Sequence, residues 1–150
     1  MLTIYVDADA CPVKQEVVKV AKRYSLPVIF VANSRMRLPE YAQGRLEVVA
    51  DHLDAADDWI VEQAGKDDIV ITSDIPLASR SVDVQARVID PSGRIYNEDN
   101  VGHALATRNL MADLREGGTE LGGPAPFQAK DRSRFLQSLD QVVQQVRRDN

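Results

Sequence analysis

Five short apolar runs, spaced by stretches of helical periodicity, constrain this chain more than any other feature. They are residues 2–6 (Leu-Thr-Ile-Tyr-Val), 28–32 (Val-Ile-Phe-Val-Ala), 46–50 (Leu-Glu-Val-Val-Ala), 68–72 (Asp-Ile-Val-Ile-Thr) and 86–89 (Ala-Arg-Val-Ile). Runs this continuous suit strands covered on both faces, as in a parallel sheet. After the first, Pro12 is placed to open a helix, with Val13, Val17, Val18, Val20 and Ala21 at helical intervals. Further helices are expected from Asp54 or Ala55 to Ala64, from Pro76 to about Ser81, from residues 97–100 to about Leu114, and from Asp131 to Arg147. The last carries Phe135, Leu136, Leu139, Val142, Val143 and Val146 on one side. Strands alternating with helices predict an α/β fold with a mostly parallel, five-stranded sheet and helices on both faces.

At 150 residues the chain is expected to form one domain, burying roughly 70% of the surface its unfolded form exposes. A single cysteine excludes an intramolecular disulfide framework and a multi-cysteine zinc site. No apolar run approaches the roughly 18 residues of a membrane span. The start lacks the basic segment and long apolar stretch of a secretory signal, so a cytoplasmic location is expected. A net charge of −5 argues against broad, non-specific attraction to nucleic acid. The charges are nevertheless segregated. Acids crowd residues 51–74, whereas arginines mark Arg35-Met36-Arg37 and recur from Arg108 onward.

Ligands of parallel α/β sheets bind beyond the carboxyl ends of the strands, near a reversal of strand order. Asp7 and Asp9 follow the first run and, two apart, can point the same way. Such a pair repels itself unless a proton or cation intervenes, and a hard cation such as Mg²⁺ or Mn²⁺ prefers oxygen ligands. The structural alternative makes Asp7 the strand end and Asp9 the cap of the next helix. Asp74, after the fourth run, is likewise placed to cap a helix, but faces Asp7 if the first and fourth strands are neighbours. Asp57 shares a helical stripe with Ile60, Val61 and Ala64, so it points inward and needs a partner. Asp58 points elsewhere. Asn33 and Ser34 follow the second run and can reach the same crevice, or form an ordinary turn.

Cys11 reads as a small buried residue and Trp59 as core packing. His52 and His103 lack metal-ligand spacing and read as surface or helix residues. Gly117-Gly118 and Gly122-Gly123-Pro124 punctuate a long loop without phosphate-loop character.

Several segments together resemble the bacterial YaiI/YqxD family, grouped with PIN-like domains. They are Val6-Asp7-Ala8-Asp9-Ala10-Cys11-Pro12-Val13-Lys14, Ala32-Asn33-Ser34, Asp54-Ala55-Ala56-Asp57-Asp58 and Val70-Ile71-Thr72-Ser73-Asp74-Ile75-Pro76-Leu77-Ala78. Asn100, Arg108, Gly122-Gly123-Pro124, Phe127, Asp131-Arg132 and Phe135 extend the likeness through the C-terminal third. The resemblance implies a Rossmann-like, three-layer α/β/α domain, with loop 116–130 and helix 131–148 as a family-specific extension. It also implies Mg²⁺- or Mn²⁺-dependent phosphodiester hydrolysis, with RNA as a partner. In that reading Asp7, Asp74 and Asp57 or Asp58 hold metal, and Asp9 is a further ligand or base. Asn33, Ser34, Arg108 and Arg132 contact substrate, with Arg115 and Arg134 as further candidates. The fourth PIN acid has only Asp90 as a counterpart.

Two other function classes fit the same residues. In a haloacid-dehalogenase-like phosphatase, Asp7 is the nucleophile and Asp9 the acid/base. In a non-catalytic RNA- or protein-binding domain, the acidic crevice is vestigial.

Overall fold

The computed structural model describes residues 2–118 and 126–150. Its sheet has strands β1 (Ile4–Asp7), β2 (Val28–Ala32), β3 (Gly44–Val48), β4 (Ile69–Ile71), β5 (Arg87–Ile89) and β6 (Ile95–Tyr96), in the order β3-β2-β1-β4-β5-β6. The first five are parallel, as expected. The sixth corrects the five-strand expectation: Ile95 and Tyr96 return antiparallel to β5 after the turn at Pro91–Gly93. A two-residue strand flanked by polar residues has too little pattern to register as a strand.

Five helices cover the sheet: α1 (Lys14–Tyr24), α2 (Ala55–Gln63), α3 (Ile75–Asp83), α4 (Val101–Glu116) and α5 (Ala129–Asp149). Strand alternation sends Ile4, Val6, Phe30 and Ile71 to one face, against Val17 of α1 and Phe135 and Leu139 of α5. Tyr5, Val31, Val70 and Val88 go to the other, against Ile60 of α2, Leu77 of α3 and Ala104 of α4. The result is a three-layer α/β/α arrangement with an apolar core on each side of the sheet.

Several boundaries differ from the sequence reading, among them the start of α1 and the bounds of the third strand. Pro12 does not open α1. A 3-10 turn at Ala8–Ala10 intervenes and α1 begins at Lys14. The third strand ends at Val48, and beyond it the Val49 N–H still donates to the Ala32 carbonyl at 2.9 Å. Helix α4 buries only Val101 and Ala104, leaving Leu110, Met111 and Leu114 in solvent. The Gly122-Gly123-Pro124 segment lies outside the described residues. No described helix is long and apolar enough to cross a membrane.

The β5–β6 turn is locked to α5. Asp90 Oδ1 accepts from the backbone N–H groups of Ser92 and Arg94, and Ser138 Oγ donates to the Gly93 carbonyl at 2.7 Å. Gly93 has φ +93°, and a Cβ there would stand 2.8 Å from the Arg134 backbone. Both the left-handed conformation and the close approach demand glycine. Gly93→Ala is therefore expected to cost about 1–3 kcal/mol. Thermal unfolding of the variant should show a midpoint lower by several degrees.

Candidate functional site

Strands β2 and β3 lie on one side of β1, and β4 and β5 on the other, so strand order reverses between β1 and β4. At such a reversal the loops leaving the two strands part in opposite directions and a crevice opens. Here it has a volume of about 520 Å³, and its lining includes Asp7, Asp9, Asn33, Asp54, Asp57 and Asp74.

Pairing of Val6 with Ile71 brings the next residues, Asp7 and Thr72, to the same level. Thr72 is buried, and its hydroxyl donates to Asp7 Oδ2 at 2.9 Å while accepting from the Asp74 N–H at 2.9 Å. One side chain thus ties the Asp7 carboxylate to the backbone of Asp74. Asp74 also caps α3, its Oδ1 accepting from the Leu77 N–H at 3.1 Å. The cap and the crevice reading hold together, because the cap engages one carboxylate oxygen and leaves the other.

Asp57 enters from α2 and is 8% exposed. Burial is the largest influence on its carboxyl, followed by the charges of Asp74, Asp7 and Asp54, and together they push its pKa up to about 6. Burial also raises Asp7, opposed by the Thr72 hydrogen bond and reinforced by Asp74 and Asp9. Asp58, next to Asp57 in sequence, points away from the crevice and pairs with Arg80 at 2.8 Å.

Asp9 does not cap α1. Its Oδ2 accepts from the Asn33 N–H at 3.0 Å and ties the 3-10 turn to the end of β2, while Val13 begins α1 without a side-chain cap. The 3-10 turn separates Asp9 from the helix start. Asn33 Oδ1 is buried without a hydrogen-bond partner among the described residues.

The remaining sequence candidates are dispersed. Ser34 is exposed and not among the crevice residues. Arg108 is exposed on α4, its guanidinium 3.3 Å from Asn109 Oδ1. Arg132 contacts the Pro12 carbonyl at 2.7 Å and Glu16 at 3.2 Å, on the α1 side of the sheet. Arg134 pairs with Asp131 at 3.8 Å. Arg115 is exposed in the last turn of α4. Asp90 closes the β5–β6 turn. Cys11 is buried and burial pushes its thiol pKa up, and Trp59 packs edge-on to Tyr5. Asp51, His52 and Asp54, which the sequence reading left outside the site as an acidic stretch, a surface or helix residue and a helix start, line the crevice from the segment before α2. Their signal was position: they stand just past the third strand, where the strand-end rule directs attention.

The crevice is lined by oxygen donors, chiefly carboxylates. Repelling carboxylates and an amide oxygen are ligands that Mg²⁺ or Mn²⁺ prefers. Among the described residues no three His, Cys, Asp or Glu side chains form a ready metal cluster. Mg²⁺ commonly takes one or two carboxylates and completes its shell with water or phosphate oxygens.

The crowding of carboxyls has a measurable signature. Carboxyl-detected NMR on metal-free protein should place the Asp57 midpoint near 6, and Asp74→Asn should lower it. A raised folded-state pKa means that stability is lost as pH rises from the unfolded value, about 4, through 6. Asp57→Asn should therefore raise the unfolding midpoint relative to wild type more at pH 7.5 than at pH 4.

Comparison with known proteins agrees with the sequence. The model of the family described as "Uncharacterized BCR, YaiI/YqxD family" matches residues 5–145. A UPF0178 protein of Rhodospirillum centenum is 56% identical, covering 99% of both chains. UPF0178 proteins of Brucella ovis and Nitrobacter winogradskyi are 53% and 51% identical, each covering 98% of this chain and 92% and 94% of their own. No solved structure matches significantly. A match across nearly the whole chain, with relatives above half identity, makes this protein a member of the YaiI/YqxD family.

Proposed function

We propose that the crevice between β1 and β4 is the active site of a divalent-metal-dependent phosphodiesterase acting on RNA. One observation carries the reading. Asp57 is buried against Asp7 and Asp74, while Arg80, the cation whose charge reaches it, is spent on Asp58 outside. A buried carboxylate without a compensating charge is costly, and a cation relieves it.

One or two of the carboxylates of Asp7, Asp57 and Asp74 would hold Mg²⁺ or Mn²⁺, with water or phosphate oxygens completing the shell and Asn33 lining the same crevice. The ion would activate a water and stabilise negative charge on the phosphodiester. Thr72 keeps Asp7 and Asp74 in register, so the two strand-end carboxylates need no reordering when a ligand arrives. Asp57, titrating near 6 in the metal-free protein, is mostly ionised at neutral pH and so able to ligate a cation. Asp9 stays at the rim, positioning Asn33 through its amide. That placement favours this reading over a phosphatase, which needs Asp9 free to exchange protons beside Asp7.

Calorimetric titration with Mn²⁺ should give binding that Asp7→Asn or Asp74→Asn weakens tenfold or more. Asparagine caps helices about as well as aspartate, so Asp74→Asn should keep α3 intact. Affinity should rise from pH 5.5 to 7.5 as Asp57 gives up its proton. Mn²⁺-dependent cleavage of a mixed RNA pool should disappear in Asp7→Asn. Unchanged Mn²⁺ affinity in both variants would overturn the site. Metal-independent retention of RNA without cleavage would point to a binding domain, and a trapped aspartyl-phosphate on Asp7 to a phosphatase.

A further inference from the structure

A second cavity, about 970 Å³, opens at the same end of the sheet but on the α1 side. Cys11 and Pro12 line it, whereas Asp9 and Ala10, immediately before them, line the acidic crevice. Asp9 and Pro12 are three residues apart, at most about 10 Å. That distance is within a few nucleotide steps, since an extended strand spans more per step than the roughly 3.4 Å axial rise of a duplex.

The charge of this cavity is opposite to that of the crevice. Among the described residues, Lys14, Arg37 and Arg132 line it, against Glu16 and Glu40. Glu16 is engaged by Arg132 at 3.2 Å. Arg132 is further held by the Pro12 carbonyl and lies 4.9 Å from the centre of the Phe127 ring. Lys14 donates to the Cys11 carbonyl at 2.8 Å, which draws its ammonium toward the ridge between the cavities. Arg37 joins no ion pair among the described residues. In a chain of net charge −5, a cavity with more cations than carboxylates is suited to an anion.

We propose that the two cavities form one track for a single-stranded polynucleotide. The strand places one linkage in the acidic crevice and crosses the Ala10–Cys11 ridge. Its phosphates a few nucleotides away meet Lys14, Arg37 and Arg132. The inference rests on the phosphodiesterase reading and narrows its substrate to an extended, flexible strand. The crevice is on the α2 side of the sheet and the basic cavity on the α1 side, so a ligand filling both must bend over the sheet end. A single strand can do so, whereas a duplex is stiff over about 150 base pairs.

The test uses fluorescein-labelled RNA and DNA 12-mers, a dinucleotide and a 12-base-pair duplex, followed by anisotropy in EDTA across a salt series. The single-stranded 12-mers should bind tightest. Three phosphate contacts give a log–log salt slope of about −2. Arg37→Glu should weaken the 12-mer at least tenfold and make the slope shallower by about one. Lys14→Gln should do the same more weakly, and the dinucleotide should barely respond to either. Because Arg37 is exposed and unpaired, its replacement should leave the fold intact. A 12-mer affinity and slope unmoved by both substitutions would overturn the track, as would equal affinity for the duplex. A parallel Mn²⁺-dependent assay on a small phosphodiester separates the two ideas. Turnover there without Arg37-dependent 12-mer binding sinks the track and keeps the chemistry. Arg37-dependent binding without any Mn²⁺-dependent cleavage keeps the track and sinks the chemistry. Comparing RNA with DNA shows whether a 2′-hydroxyl is read.

Discussion

The reversal of strand order between β1 and β4 is the constraint on which the functional arrangement depends. Because β1 sits between β2 and β4, the loops leaving its carboxyl end and that of β4 part toward different layers. Thr72 then joins what the backbone separates, linking Asp7 to a segment 65 residues away. A neutral hydroxyl suits this position, since it donates to one acid and accepts from the backbone of the other without adding charge. The acids remain crowded, and the cost of that crowding falls mainly on Asp57, the most enclosed of them.

Much of this was legible because continuous apolar runs leave few alternatives. Ile4–Val6, Val28–Ala32 and Ile69–Ile71 could only be interior strands, and interior strands in sequence with helices could only be parallel. The sixth strand was not legible, because two residues set no period and its existence depends on the Gly93 turn packing against α5. The third strand slipped by two residues because Val49 keeps one backbone bond beyond the regular ladder. The inward direction of Asp57 followed from its helical stripe, and so did the divergence of Asp58. Asp9 was readable only as a choice between cap and site, and the structure offered a third role. One of its carboxylate oxygens goes to the N–H of Asn33, just past β2, a contact across 24 residues that no local rule contains. The part played by residues 51–54 was hidden because loop segments carry no periodicity.

Charge segregation has a structural origin. The acids of the crevice belong to the ends of β1 and β4, the 3-10 turn, the segment before α2 and α2 itself, whereas Lys14, Arg37 and Arg132 belong to the start of α1, the segment after β2 and the start of α5. The sheet end separates the two sets by only a short stretch of chain. A net charge of −5 therefore describes the whole protein and neither of its cavities.

The two apolar cores share a sheet but not side chains. Val6 belongs with α1 and α5, and its neighbours Tyr5 and Asp7 face the opposite layer. Substitutions in layers without shared side-chain contacts should combine close to additively. The α1–α5 layer can thus be rebuilt for thermostability, or drift under neutral evolution, while the geometry around Asp57 is inherited unchanged. A variant library confined to that layer would be a means of hardening the scaffold without retuning its chemistry.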